Sequence, residues 1–188
     1  MDLPWGDEKT VRFITNVGLI TTNGPHGHNI MACEWTHQVS YSPGLIAGCI
    51  GHKKATLENI QKTKEFGISL ASTDQAILAS VAGGSSGKTV HKIKALEELG
   101  YVFYKAKKIK TLMVKDAVLN FECTVYKEIP LGDHVMIIGE IQEISFNKEK
   151  EPLAYHKGKY WKMIEHIQKP SQEKLDAIKK LIEKHTKS

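Results

Sequence analysis

Cysteine is scarce in this sequence, and its distribution excludes two classes of protein. The three cysteines are Cys33, Cys49 and Cys123. Their number is odd and no two of them form a Cys-x-x-Cys pair, so the sequence indicates neither a disulfide framework nor a structural zinc site. His26 and His28 precede Cys33, but no fourth ligand follows at a familiar spacing. We therefore expect buried free thiols and no bound metal.

Long hydrophobic runs are also lacking. No apolar stretch reaches the length of a membrane-spanning helix, and residues 1–9 have no apolar core of the kind found in signal peptides. We therefore expect a cytoplasmic protein with no membrane partner. The composition, with 41% hydrophobic and 25% charged residues, is typical of a soluble globular protein. Residues 1–165 are predicted to form one domain, and residues 166–188 a lysine-rich helix that packs on this domain or on a partner subunit.

A basic face typical of nucleic-acid binding is absent as well. The net charge is +5, and residues 159–188 carry eight lysines against four acidic residues. The remainder of the chain therefore has a net charge of only about +1. Basic and aromatic residues do not alternate on one face, so we expect no nucleic-acid partner.

Several segments have the hydrophobic pattern of β-strands. Residues 17–22 and 45–50 are short apolar runs, and strict alternation over residues 119–125 predicts a half-buried strand. A turn at residues 130–133 leads into a β-rich stretch, so an antiparallel hairpin is expected there. Further strand candidates are residues 66–70, 108–114 and 153–155. Many strands with short connections indicate a barrel rather than a doubly wound parallel sheet.

Helices are fewer, and their ends and apolar stripes identify them. Thr56 is predicted to cap the first helix, in which Leu57 and Ile60 face inward, and Asp74 is predicted to cap the second. The remaining stripes are Ile77, Leu78 and Val81 in the second helix, Ile93, Leu96 and Leu99 in the third, and Leu175, Ile178, Leu181 and Ile182 in the last, which starts at Pro170 and Ser171.

Residues 51–56 have the composition of an anion site. Gly51 allows close approach of the backbone, Lys53 and Lys54 supply positive charge, and the first turn of the following helix presents free N–H groups. A helix terminus contributes up to ~2 kcal/mol to anion binding, whereas micromolar affinity requires roughly 8 kcal/mol. The remainder must come from burial of another part of the ligand, for which residues 31–35 are the candidate wall.

A second glycine-rich segment, Ala82-Gly-Gly-Ser-Ser-Gly-Lys-Thr89, is similar to a nucleotide-binding P-loop except at its first position. A P-loop needs a buried parallel strand immediately before it, whereas residues 74–81 have the pattern of a capped helix. An apolar run that ends in a magnesium-binding Asp is also missing. A P-loop NTPase is therefore the weaker alternative, and this loop is expected to form a second wall of the anion site.

Taken in order along the chain, the motifs resemble those of the flavin reductase-like proteins with an FMN-binding split barrel, which include flavoredoxins and archaeal ferric reductases. The resemblance covers residues 17–161. It rests on Gly18-Leu-Ile-Thr-Thr22, Asn29-x-Met31-Ala-x-x-Trp35, residues 51–56, Ser86-Gly87-Lys88 with Lys92, Leu131-Gly-Asp-His134 and Tyr155-x-x-Gly158-x-Tyr160.

The resemblance implies a mainly β fold with flanking helices, an antiparallel Greek-key split β-barrel that binds FMN noncovalently near a homodimer interface. It implies that the isoalloxazine ring is lined by Ala32, Cys33, Glu34 and Trp35, chiefly through their main chain. By the same resemblance, the ribityl phosphate is held by Gly51, His52, Lys53, Thr56, Ser86, Gly87 and Lys92. His134 and the region of Tyr160 would lie where nicotinamide or another substrate approaches the flavin.

Two positions depart from the pattern of these proteins. Relatives often carry Ser or Thr where this chain has Cys33 and Glu34, and a carboxylate there would either lower the potential of the flavin or face away from it. His91 replaces the usual acid before Lys92 and makes that wall more positive.

The function expected from this reasoning is transfer of hydride from NAD(P)H to FMN and of electrons to free flavin, ferric iron or a protein acceptor. Such chemistry belongs to the cofactor, so the chain needs neither a nucleophile nor a metal. The absence of a Gly-x-Gly-x-x-Gly fingerprint fits a nicotinamide that binds transiently over the flavin. A noncatalytic FMN-binding electron carrier is the first alternative, and the NTPase is the second.

Overall fold

Short β-strands dominate the fold in the computed structural model, which describes residues 2–4 and 6–184. The strands are β1 (Thr15–Asn16), β2 (Gly18–Thr22), β3 (Asn29–Cys33), β4 (Thr36–Ser40), β5 (Leu45–Gly51), β6 (Glu65–Leu70), β7 (Phe103–Lys105), β8 (Leu112–Val114), β9 (Leu119–Leu131), β10 (His134–Phe146), β11 (Ala154–His156) and β12 (Lys159–Trp161). The α-helices are α1 (Ala55–Thr63), α2 (Ala76–Gly84), α3 (Lys92–Glu98) and α4 (Gln172–Lys184).

The main sheet is antiparallel and has seven strands in the order β3-β2-β6-β9-β10-β5-β4. It curls so that β3 approaches β5: the Cys33 thiol donates to the Cys49 carbonyl over 3.3 Å, and the Cys49 N–H donates to the Trp35 carbonyl over 3.0 Å. A smaller sheet has the order β1-β11-β12, and β7 pairs with β8. This architecture confirms the prediction of a mainly β chain with flanking helices and with a β9–β10 hairpin.

Two hydrophobic cores lie on the two faces of the sheet, because successive side chains of a strand point in opposite directions. In β2, Ile20 joins the core inside the curled sheet, which also contains Leu57 and Ile60 of α1. Its neighbour Leu19 faces outward into a second core with Leu78 of α2 and residues of α3. The outer face of the sheet is therefore covered by helices, which places α2 directly against β3.

The prediction of a half-buried strand over residues 119–125 was wrong about one face. Asn120 and Glu122, the polar residues of the alternation, are only 6% and 3% exposed. The Glu122 carboxylate accepts the backbone N–H groups of Lys107 and Lys108 over 2.9 and 2.6 Å. Residues 106–111 therefore cover this face, and the predicted strand over residues 108–114 is limited to β8.

Both predicted helix caps were also wrong, because other partners hold these side chains. Helix α1 begins after Lys54, and the Thr56 hydroxyl accepts from the Asn29 amide over 2.9 Å. Helix α2 begins after Gln75, whereas the Asp74 carboxylate accepts from the Ser72 hydroxyl and from Lys150.

The predicted apolar stripes of α2 and α3 were only partly right. Leu78, Ile93 and Leu96 are buried, whereas Ile77 is 63% and Leu99 59% exposed.

The C-terminal helix α4 is shorter than the predicted segment, since residues 166–171 are not helical and residues 185–188 lie outside the described part of the chain. It has an exposed apolar stripe. Leu175, Ile178 and Leu181 are 41%, 40% and 58% exposed. Packing of this helix on the domain or on a second subunit stays a prediction. Within residues 2–4 and 6–184, no helix combines the length and the apolar character needed to cross a membrane.

Candidate functional site

A cavity of about 530 Å³ lies between the end of β3, helix α2 and the small sheet. Four residues predicted from the sequence line it: Ala32, Cys33, Glu34 and Tyr160. The other lining residues are Asn16, Val17, Lys54, Ala79, Ser80, Gly83 and Tyr155. The volume falls in the range of cofactor pockets.

One wall of the pocket is the end of β3, and helix α2 packs closely against it. A Cβ added at Gly83 would lie 3.3 Å from the Ala32 Cβ, so a side chain larger than glycine there would press the helix away from the strand. The Cys33 thiol points away from the pocket and donates to carbonyl oxygens, and burial raises its pKa to about 12. Cys33 is a lining residue, and the contact of its main chain with a bound ligand stays a prediction.

The opposite wall contains two tyrosines and faces Glu34. The rings of Tyr155 and Tyr160 have centroids 5.7 Å apart, and the Tyr160 hydroxyl lies 3.3 Å from the Ser80 hydroxyl, within hydrogen-bonding distance. Burial raises the pKa of Tyr155, and the nearby Glu34 carboxylate raises it further. This end of the pocket combines flat apolar surface with acceptor and donor oxygens.

The cationic end of the pocket is formed where α1 begins. Lys53 and Lys54 are both exposed, but only Lys54, which immediately precedes α1, lines the pocket. The first-turn N–H groups of a helix and a lysine together favour an anion. The resemblance implies that Lys53 holds the phosphate, whereas the lysine that lines this pocket is Lys54. A phosphate role for Lys53 stays a prediction.

The second loop, residues 85–90, lies against the same end of α1. A Cβ added at Gly87 would lie 2.1 Å from Asn29 Oδ1, so only glycine allows this approach. Asn29 in turn donates to Thr56, and Lys88 forms an ion pair with Glu58 in the first turn of α1. The structure therefore brings together the two glycine-bearing loops predicted to converge.

Lys92 and Ser86 are placed around this second loop. The Lys92 side chain is 2% exposed, and its Nζ donates to the carbonyls of Ala82 and Ser85 over 2.8 and 3.2 Å. Burial, with a smaller contribution from nearby Lys54, lowers the pKa of Lys92 to about 8. The Ser86 hydroxyl accepts the Lys88 N–H. In this structure both residues bond within the loop and its helix, and their phosphate role stays a prediction.

A second group of predicted residues lies beside the start of α1 rather than in the pocket wall. The rings of Trp35 and His134 have centroids 4.8 Å apart, and Asp133 holds the His134 Nδ1 over 2.7 Å. This contact with His134 lowers the pKa of Asp133. His134 pairs with Gly51 in the sheet, and His52 Nε2 lies 3.1 Å from the Gly132 carbonyl, so the β9–β10 turn borders residues 51–56.

The P-loop interpretation is contradicted by the same region. Residues 82–84 are the last turn of α2, so the glycine-rich segment follows a helix and not a buried parallel strand. This outcome agrees with the prediction that residues 74–81 are helical.

Within the part of the chain that the structure describes, no three His, Cys, Asp or Glu side chains are grouped to hold a metal ion.

Comparison with known proteins gives consistent findings. The family model described as "Flavin reductase like domain" matches residues 10–163. An uncharacterised protein of Archaeoglobus fulgidus is 30% identical over 126 residues, which cover 67% of this chain and 70% of that protein.

Two further matches carry functional names. The NADH-dependent FMN reductase AsuE2 of Streptomyces nodosus subsp. asukaensis is 27% identical over 147 residues, covering 78% of this chain and 77% of that protein. The solved structure of flavin reductase PheA2 in its native state matches with a TM-score of 0.73 and 28% identity, covering 88% of this chain and all of that one.

Proposed function

Because the chain belongs to the flavin reductase like domain family, we propose that it is an FMN-binding reductase that takes hydride from NAD(P)H. The observation that carries this proposal is the pocket of about 530 Å³, with the main chain of β3 on one side, two tyrosines on the other and Lys54 at one end. A flavin mononucleotide has the matching parts, since its ring is flat with polar edges and its side chain ends in a phosphate. A bound FMN would contact all three of these parts of the pocket at the same time.

The donors and acceptors at the site fit this ligand. Ala32 and Cys33 are the last residues of β3 and pair with β2, and they line the pocket together with Glu34, which follows the strand. The phosphate would bind at Lys54 and the first turn of α1, where lysine charge and helix dipole act together. Asn29 Oδ1 is buried beside Gly87 and has no hydrogen-bond partner among the described residues, so it could accept from a hydroxyl of the ligand but not bind its phosphate.

The side chains have positioning roles rather than covalent ones. A flavin held at this site would supply the chemistry of hydride and electron transfer. Tyr160, held by Ser80, and the main chain of β3 would orient the ring and exclude water from one of its faces. His134, held by Asp133 and Trp35, would contact the nicotinamide or another substrate at the edge of the site.

The electron acceptor and the assembly belong to the same proposal. We infer that free flavin, ferric iron or a protein accepts the electrons, and that the protein is a cytoplasmic homodimer. Trp35, Val39 and Tyr41 are 54%, 52% and 93% exposed, and this apolar surface next to the site would support the homodimer.

The test is anaerobic mixing of the FMN-loaded protein with NADH and, separately, with NADPH. A reductase bleaches the yellow flavin absorbance within seconds with at least one of them. Binding of FMN without bleaching by either nucleotide would instead indicate the noncatalytic carrier. A protein that binds no FMN in a fluorescence titration would contradict both functions.

A further inference from the structure

We propose that Glu58 is a positioning residue of the ligand site, because its ion pair with Lys88 holds the second loop against the start of α1 and so closes the phosphate end. The inference rests on the proposed function and goes beyond it, since neither residue lines the pocket. It assigns the Lys88 ammonium to a bond within the protein rather than to a bond with the phosphate.

The second loop spans the gap between two elements of the site. It follows the end of α2, where Gly83 lines the pocket, and it reaches the first turn of α1, which the lining residue Lys54 precedes. The base of the loop is fixed, because the Lys92 ammonium donates to the carbonyls of Ala82 and Ser85. Closure of the gap therefore depends on the contacts that hold the tip of the loop.

Two contacts hold this tip. Gly87 packs against Asn29, but Asn29 Oδ1, the atom it approaches, accepts no hydrogen bond from the described residues. The other contact is the ion pair of Lys88 with Glu58. Within residues 2–4 and 6–184, this ion pair is the one polar link between the second loop and α1. Loss of either charged partner should therefore free the tip.

Glu58 is itself anchored on its other side. Its second carboxylate oxygen lies 2.5 Å from His26 Nε2, and the His26 backbone N–H donates to Asn59 Oδ1 over 2.9 Å. Asn59 is buried and donates to the Thr22 hydroxyl in β2. The contacts with Lys88 and, to a smaller extent, with His26 lower the pKa of Glu58. The carboxylate is therefore ionised at neutral pH and is fixed to the domain where Lys88 meets it.

A direct bond from Lys88 to the phosphate would give Glu58 the opposite effect. Glu58 would then compete with the ligand for the ammonium, and its removal would strengthen binding. If Lys88 only holds the loop, removal of either partner leaves a loop that must be ordered when the ligand binds, which weakens binding. The side chains of Lys88 and Glu58 are 38% and 41% exposed, so their removal should cost little global stability.

The first experiment measures the Kd for FMN and for riboflavin by fluorescence titration. The wild type is compared with Glu58→Gln, with Lys88→Met and with the double variant. Each single variant should raise the Kd for FMN by about threefold, and the double variant should bind no more weakly than either one. The Kd for riboflavin, which has no phosphate, should stay unchanged. Direct charge effects on the phosphate have opposite signs in the two single variants, so a shared loss identifies the loop.

The second experiment measures hydrogen exchange in the loop. The N–H groups of Thr89 and Val90 donate to the Ser86 carbonyl, so both should exchange faster when the tip is freed. Lys64→Met and Glu128→Gln are the matched controls, because Lys64 ends α1 and forms a similar exposed ion pair with Glu128. Neither control should change FMN binding or exchange in the loop.

Three results would overturn the inference while leaving the proposed function intact. The first is a change of opposite sign in the Kd for FMN in the two single variants, which would place Lys88 on the phosphate. The second is an unchanged Kd for FMN or an equal loss for riboflavin, and the third is unchanged exchange at Thr89 and Val90. If the wild type binds no FMN, the proposed function itself fails, and the exchange rates still decide whether the ion pair holds the loop.

Discussion

Replacement of Lys54 by alanine tests the phosphate end of the site, because only one of two adjacent lysines lines the pocket. A hydrogen bond to a charged group contributes about 1.5 to 3 kcal/mol when it is protected from solvent. Lys54 is exposed, so screening places the expected loss near the lower limit, which is about tenfold in the Kd for FMN. Riboflavin lacks the phosphate, and its affinity should change little.

The matched control is Lys53→Ala, which removes the same charge from the neighbouring exposed position. An exposed charge outside the pocket contributes about 0 to 1 kcal/mol, so the FMN affinity of this variant should fall by less than about fivefold. Flavin fluorescence quenching measures all four affinities, and raising the salt concentration should reduce the FMN loss in Lys54→Ala. Equal losses for FMN and riboflavin, or equal losses for the two variants, would show that the phosphate binds elsewhere.

Two further predictions follow from buried ionisable groups. The pKa of Lys92 in the fold is about 8, below its ordinary value of 10.5, so the unfolded chain binds this proton more tightly and the stability contributed by Lys92 rises with pH between these values. As the pH rises through this interval, the Tm of the wild type should therefore increase relative to the Tm of Lys92→Met. A Tm difference that is independent of pH would contradict the lowered pKa of Lys92. Burial raises the pKa values of Cys33 and Cys123 to about 12, whereas Cys49 is half-buried. A thiol reagent at neutral pH should label Cys49 first by peptide mass mapping, and equally fast labelling of Cys33 would refute its placement in the core.

The sequence predicts those strands and helices in which the order of apolar and polar residues reflects which side chains are buried. The apolar runs of β2 and β5 and the alternation in β9 are visible without a structure, because each residue's side is set by the strand period. The residues at which helices begin are harder to predict from the sequence. Thr56 and Asp74 have the side chains of good caps, but Asn29 competes for the first and Ser72 and Lys150 for the second.

The pocket likewise contains some residues that sequence motifs identify and others that only the tertiary packing places there. The wall at Ala32, Cys33 and Glu34 is found from its motif, and so is the position of Tyr160 on the opposite wall. The contributions of Ser80 and Gly83 are not, because they depend on α2 packing across β3, which no local pattern specifies. The choice between Lys53 and Lys54 likewise depends on the residue at which α1 begins.

The pocket walls come from segments that are far apart in the chain, from Asn16 near one end to Tyr160 near the other. No fragment shorter than residues 16–160 contains all of them, so a ligand of this pocket can bind only after nearly the whole domain has folded. A ligand that binds the native state alone adds about 2.7 kcal/mol to stability when its free concentration is 100 times its Kd. The supply of this vitamin-derived ligand would therefore determine how many protein molecules can carry out the reaction. It would also determine how many of them resist proteolysis.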